Sequence, residues 1–351
     1  MDRSSERLPS QGASPPAGGS PGRRGELDLA LVVLLGVLWG TAFPVIRAGL
    51  VAGAPPLIFA SARYFLTAGA LGAIAFIVRS PMPPRSTRAA PVVFGGLVMI
   101  GVYGGLLYLG EASTSGGLAA ILTASAPLLS ALFGYRVLPS ERFGRGGLFG
   151  LLIGFAGVAA LVVPGIVGAA SSGLVGPWLV VGAVVAFAAG SVLLRTKSRA
   201  TPGLWLLSVQ FAIAASLLGV IALAIGEPMT LGAADATLPA LAFLVVFPGI
   251  LGYSLYFRIH HVSGPSRANL VGYVNPATGV LVGLLVFGEA VTAVEIAGLV
   301  GIALGLFLLQ RDRRRRAAAP TSGEASAQGK PSPEPLARQD SVPEERAQQR
   351  S

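Results

Sequence analysis

Ten runs of about 20 apolar residues, divided by short polar breaks, occupy residues 28 to 310 of this chain, and a helix of that length spans a bilayer's hydrocarbon core. They lie at 28–49, 56–78, 91–111, 117–137, 144–164, 174–195, 203–225, 237–258, 266–288 and 291–310. Lipid offers no partner to an open backbone, so such runs fold as helices or as closed barrels, and their length selects helices. The chain reads as an all-α membrane protein with ten transmembrane helices. Its 53% hydrophobic and 12% charged residues, with a mean hydropathy of +0.70, lie far outside the soluble norm.

The charge sits outside these runs. Residues 1–26 are rich in Ser, Pro, Gly and Arg and read as a disordered leader; residues 311–351 open on RDRRRR and read as a basic, disordered tail. The leader is not a signal peptide, because the apolar stretch after it is too long for one and lacks a small-residue cleavage site. The net charge of +10 is spread over tails and short loops, which argues against a nucleic-acid partner. No cysteine is present, so disulfides and thiolate metal sites are excluded; no metal site and no cofactor are expected.

Cytoplasmic loops retain positive charge. With the N-terminus inside, the inner segments hold Arg23 and Arg24, Arg79, Arg85 and Arg88, Arg136, Arg142 and Arg145, Arg195, Lys197 and Arg199, Arg258 and Arg267, and the run Arg311 to Arg316. The outer side has only Arg47. The sequence therefore predicts a multi-pass protein of the cell membrane with both termini cytoplasmic.

A shift of 148 residues lays much of the chain on itself: Leu31-Val32-Val33 on Leu179-Val180-Val181, Gly101 and Gly104 on Gly249 and Gly252, Leu107-Tyr108 on Leu255-Tyr256, Glu141 on Glu289, and Gly150 and Gly157 on Gly298 and Gly305. Residues 27–165 and 174–310 are thus two five-helix repeats. Five is odd, so the second enters the membrane upside down. Such inverted repeats let two bundles expose a central site to either side in turn, the architecture of secondary carriers. In each copy the fourth helix is expected to be interrupted by a proline, Pro127 or Pro276, and followed by a glutamate in the turn.

These motifs carry a resemblance. LWGTAFPVIRAGL at Leu38 to Leu50, Arg63 in the second helix, TSGGLAAILTASAP at Thr114 to Pro127, the glutamate of PSER, and VNPATGVLVGLLVFGEAVT in the second half together resemble the EamA family of the drug/metabolite transporter superfamily. The resemblance covers about residues 28–310. It departs where Pro139-Ser140 precede Glu141, a place the family usually gives to glycine. The resemblance implies a central substrate cavity and the carriage of small metabolites, often outward.

Candidate site residues follow from polar groups set in apolar runs. Arg63 lies about two turns from the outer end of its helix, where a charge costs several kcal/mol (~2.5 to 3.5) unless it faces the bundle interior. Either it binds a substrate anion or it pairs with Glu111 or Glu295, the carboxylates that could also couple transport to protons. Its repeat mate lies near the uncharged Gln210. Tyr108 and Tyr256 share faces with glycines, either lining a cavity or packing in the core. Tyr273 and Asn275 on the ninth helix, and Trp39, too deep for an interfacial belt, complete the set. Asn275 either faces the substrate or bonds to a neighbouring helix. Glu141 and Glu289 fall on opposite sides and read as caps or loop anchors rather than as a pair.

No HExxH, paired membrane aspartates, phosphate-cradling loop or cysteine nucleophile is present, so no catalytic residue is expected and the chain does not read as an enzyme. The sequence predicts a secondary transporter that moves amino-acid-like or amphipathic solutes by alternating access, as an exporter. Uptake or exchange of a nucleotide-derived or other organic solute is the alternative carrier; a membrane enzyme or sensor is the alternative of another class. The bilayer and a small-molecule substrate are the expected partners, with a homodimer left open.

Overall fold

The computed structural model describes residues 21–82, 84, 89–135, 137, 142–167, 175–197, 203–232, 234–263 and 271–318. Every regular element among them is a helix. In the first repeat these are α1 (Pro21–Gly40 and Ala42–Val51), α2 (Pro56–Ile77), α3 (Pro91–Val102 and Tyr103–Glu111), α4 (Gly116–Thr123 and Ala126–Gly134) and α5 (Arg145–Val167). The second repeat supplies α6 (Val175–Lys197), α7 (Leu204–Ala224), α8 (Ala234–Leu244, Val245–Leu251 and Gly252–Ser263), α9 (Val271–Phe287) and α10 (Ala293–Ala318). Among the described residues nine stretches are long and apolar enough to cross a bilayer, and α9 contributes the shorter apolar segment Val274–Phe287 in the place of the remaining run. Large apolar side chains face outward as lipid requires, Phe65, Phe76 and Leu285 each being about 70% exposed or more, while the interior seals Leu71, Leu122 and Leu128 completely.

Both ends of the helical region run further than the polar composition suggests. α1 begins at Pro21, inside the stretch expected to be a leader, because proline in a first turn forfeits a backbone donor that has no helical partner anyway. α10 continues through the basic run to Ala318, since arginine is a good helix former and cations favour a helix C-terminus. The leader up to residue 20, Glu141 and the tail from residue 319 lie outside the described residues. Among the described residues, those up to Arg313 form one compact unit.

Contacts between the halves obey a two-fold relation. On α2 and α7, Ser61 Oγ donates to Ala215 O at 2.8 Å and Ser208 Oγ donates to Ala68 O at 2.8 Å. Ser61 and Ser208 are repeat mates, and so are Ala68 and Ala215, offset by 147 residues in this helix pair. On α5 and α10 the same exchange is written in glycine. A Cβ on Gly150 would stand 2.7 Å from Gly305 O, and one on Gly157 would stand 2.8 Å from Gly298 O. In lipid the hydrophobic effect does not draw helices together, so bare backbone surfaces in close van der Waals contact do.

Three helices are irregular, two of them at matching places. The first part of α3 (Pro91–Val102) and the middle of α8 (Val245–Leu251) are π-helical, and both end at repeat-related positions within one residue of each other. In α8 the π-helical segment holds Pro248, whose ring and missing N–H disfavour a regular α-helix; in α3 the segment carries Gly95 and Gly96. α4 breaks between Thr123 and Ala126, just before Pro127. α9, by contrast, runs unbroken through Pro276, so only one of the two expected proline interruptions is a break in the chain. The missing N–H of Pro276 alone does not end a helix whose neighbours hold both flanks.

The glycine seam predicts a sharp difference between two substitutions. In Gly305→Ala the new Cβ would meet Gly150 O at 2.5 Å and Gly154 Cα at 2.6 Å, both backbone atoms that cannot yield. Unfolding of the protein in mixed micelles should show a loss of about 1–3 kcal/mol. Gly69→Ala, with nothing within 4 Å, should be neutral or stabilising by up to about 1 kcal/mol.

Candidate functional site

Between the halves lies a cavity of about 430 Å3, walled by α1, α2, α3 and α4 of one repeat and α6, α7, α8 and α9 of the other. Its deepest markers on one side are Ile46 of α1 and Leu107 of α3. Towards the opposite side it reaches Leu194 near the end of α6, Leu207 near the start of α7 and Val271 at the start of α9. The space is made by helices that fail to be regular: the break in α4 brings Ala124 and Pro127 to the wall, and Pro248 and Pro276 line it too.

Eight of the lining residues are aromatic. Rings follow one another from Tyr256 to Trp39 (5.5 Å), Trp39 to Tyr253 (5.3 Å), Tyr253 to Phe211 (5.0 Å), Phe211 to Tyr64 (5.4 Å) and Tyr64 to Tyr108 (6.4 Å). Tyr64 and Phe211 are repeat mates, so the series crosses the two-fold relation between the halves. Tilted and edge-on pairs at these separations suit aromatic quadrupoles.

Arg63 is the charge in this wall. Its Nη1 donates to Tyr108 Oη at 3.0 Å, and its guanidinium carbon lies 5.6 Å from the centre of the Tyr64 ring. Neither carboxylate considered as its partner takes it. Both oxygens of Glu111 are buried without a hydrogen-bond partner among the described residues. Glu295 closes a capping box at the start of α10, accepting from Thr292 N at 2.7 Å while its own N–H donates to Thr292 Oγ1 at 3.2 Å. The guanidinium is therefore held by a phenol and a ring face, with its charge uncompensated by a bonded carboxylate.

The remaining candidates divide by role. Trp39 and Tyr256 line the cavity, and Trp39 Nε1 also donates to Pro248 O at 3.1 Å, satisfying a carbonyl in the π-helical segment. Gln210 lines it as well and donates to Pro91 O at 2.8 Å, packed where Gly95 and Gly96 have no side chains. Asn275 reaches the wall, with its Oδ1 buried and unpartnered among the described residues. Tyr108 stands behind Arg63, fully buried, and reaches the cavity only through it. The side chain of Tyr273 lies outside the described residues. Sequence reasoning passed over Tyr64, Tyr103, Phe211 and Tyr253; the signal available was the pairing of Tyr64 with Phe211 across the repeat, one place beyond Arg63 and Gln210.

The end of the bundle at the α1–α2 loop is tied shut. Glu289 accepts from Gly116 N and Gly117 N, both at 2.8 Å, at the start of α4. Glu227 accepts from Leu57 N and Ile58 N, both at 3.0 Å, at the start of α2. Arg47 donates to the carbonyls of Glu111 and Ala112 at 2.8 and 2.7 Å, where α3 ends. Each contact satisfies helix-terminal groups and follows the sign of the helix dipole. At the other end Asp312 accepts from Gly144 N ahead of α5.

A family model described as the EamA-like transporter family matches residues 27–163 and again 174–311. The chain is 25% identical over 302 residues to an uncharacterized transporter, YvbV, of Bacillus subtilis, covering 85% of this chain and 96% of that one. It is 28% identical over 267 residues to an uncharacterized inner membrane transporter, YedA, of Escherichia coli, covering 74% and 82%. It is also 26% identical over 306 residues to a protein of Salmonella typhimurium named a probable amino-acid metabolite efflux pump, covering 84% and 99%. One solved crystal structure shares the fold with a TM-score of 0.57 at 20% identity, over 84% of this chain and 99% of the other.

The ties at the α1–α2 end make a measurable prediction. Glu289→Ala removes the acceptor for two helix-terminal amides, at a cost of about 1–3 kcal/mol. In a chain without cysteine, a single cysteine at the buried Ala119 should then react about tenfold faster with a membrane-impermeant maleimide added on that side. An unchanged rate would mean that Glu289 does not hold this end closed.

Proposed function

The chain belongs to the EamA-like transporter family, and we propose that it exports small amphipathic, amino-acid-like solutes that carry an anionic group, by alternating access between its two inverted repeats. The observation that carries this reading is Arg63: a guanidinium on the cavity wall, backed by Tyr108 and Tyr64, with no bonded carboxylate among the described residues. A charge at that depth is tolerated where it faces a cavity, and it marks the path of a substrate or ion. An anion would complete it, while the ring series from Tyr256 to Tyr64 supplies a surface for an apolar body.

The name of the Salmonella relative supports amino-acid metabolites as the solute class and export as the direction. The YedA relative supports placement in the cell membrane, and the arginine-rich segments on one side support both termini in the cytoplasm. In that orientation the tied α1–α2 end is external, and the cavity reaches towards the cytoplasm.

Comparison of intracellular and extracellular metabolite pools, with and without overexpression, tests solute and direction together. Directional depletion of carboxylated amphipathic metabolites from cells is expected; accumulation inside would support uptake instead, and product turnover without movement would support an enzyme. Arg63→Gln should lower affinity for the depleted solute roughly ten- to a hundredfold, the equivalent of a charge-assisted bond of about 1.5–3 kcal/mol, with the protein still inserted and folded. Arg63→Lys should recover only part of this, since an ammonium lacks the planar fork. Full affinity in Arg63→Gln would remove Arg63 from the site.

A further inference from the structure

Four carboxylates of the second repeat, Glu227, Glu289, Glu295 and Asp312, accept hydrogen bonds from backbone amides. Glu111 is different. It is fully buried at the end of α3, outside the cavity lining, and neither oxygen meets a donor among the described residues. A buried polar group left without a partner needs an explanation, because an ionised carboxylate in that state costs several kcal/mol. A purely structural glutamate would sit on amides as the others do.

Its surroundings suggest what it waits for. The charged groups around Glu111 are Arg63 from α2, Glu289 from the α9–α10 loop and Arg47 from α1, with the phenols of Tyr64, Tyr103 and Tyr108. Arg47 is occupied by the carbonyls of Glu111 and Ala112, and Glu289 by the amides of α4. α6, packed at Gly110, presents the side chain of Val180 and backbone. Arg63 remains. It is held by the hydroxyl of Tyr108, and Tyr108 and Glu111 lie three residues apart on one face of α3, which places side chains about 5–6 Å from each other. The residue that holds Arg63 and the unpartnered carboxylate are therefore neighbours on α3.

We propose that Glu111 is the proton site of this carrier, and that its ionised form takes Arg63 from the solute's anionic group. This rests on the reading of Arg63 as the anion site. With the proton bound, Glu111 needs no counter-charge, and Arg63 stays at the wall, available to the solute. Opening of the α1–α2 end uncovers the end of α3, where Ala112 and Ser113 are already exposed, and the carboxylic proton passes to water on that side. The carboxylate then pairs with the guanidinium, and the solute anion leaves to the same side. The return step runs with a neutral internal ion pair, which is dissolved when a proton and a new anion arrive from the cavity. One proton accompanies one negative charge in the same direction. Export is then driven by the solute's own accumulation, and an inward proton gradient opposes it.

Infrared spectra of the full-length protein in lipid nanodiscs, without solute, test the site independently of any transport activity. A protonated-carboxyl band should be present at neutral pH, vanish in Glu111→Gln and shift in frequency in Glu111→Asp, which preserves the assignment if the glutamine variant fails to fold. In Arg63→Gln the ionised form loses its partner, so the band should persist to roughly tenfold lower proton concentration. Absence of a Glu111 band at neutral pH, or a titration unmoved by Arg63→Gln, overturns the proposal. Failure of solute binding to depend on Arg63, with the infrared results as expected, would instead overturn the assigned anion site and leave the proton switch standing.

Discussion

Inside a bilayer no water repairs an unpaired backbone group, and most of the architecture of this protein answers that condition. Several places where a helix ends or loosens are closed by a polar group from elsewhere in the chain. Glu227 and Glu289 satisfy the amides that start α2 and α4, and Arg47 satisfies the carbonyls that finish α3. The π-helical segments follow the same rule. Trp39 of the first half covers the carbonyl of Pro248 in the second, and Gln210 of the second covers the carbonyl of Pro91 in the first. The irregular backbone that creates the cavity is thus held by side chains that also face it.

The two-fold relation decides where those partners come from. The reciprocal serine bonds between α2 and α7, and the reciprocal glycine contacts between α5 and α10, tie equivalent parts of the two halves to each other. The central space lies between bundles that were shaped alike, with aromatic walls drawn from both. Large volume without local unfolding is available there because proline and π-helical segments shift the backbone, while hydrogen bonds across the halves keep it closed against lipid.

Much of this was legible in the residues. Ten apolar runs, the repeat offset and the arginine-rich segments foretold the helix count and the five-plus-five design, since hydrophobic length and periodic identity are properties of the chain itself. Arg63, Trp39, Gln210, Tyr256 and Asn275 were found because polar or large groups deep in apolar runs are conspicuous. The two roles of Gln210, wall and backbone cap, were not legible, because the free carbonyl of Pro91 arises only once α3 has widened. The glycine neighbours of Tyr108 left it between cavity wall and core; its place is one layer back, behind a guanidinium contributed by another helix. Glu295 shows the reverse case: a carboxylate at the start of a helix is more economically explained by Thr292 three residues earlier than by a distant arginine. Pro276 likewise sits in an unbroken helix where its mate Pro127 follows a break, a difference that depends on neighbours rather than on proline.

Arg63 and Gln210 occupy equivalent places in the two halves, and only one of them is charged. In a site built from two identical five-helix subunits, every group would appear twice, and an arginine at this position would face its own copy across the same space. Two guanidiniums there would select dianions or repel each other. Joining both halves in one chain frees the second position to become neutral, so that a cavity with nearly symmetric walls can hold an odd number of charges. A single negative charge would be matched by that broken symmetry, which two repeats joined in one chain can hold and two identical ones cannot.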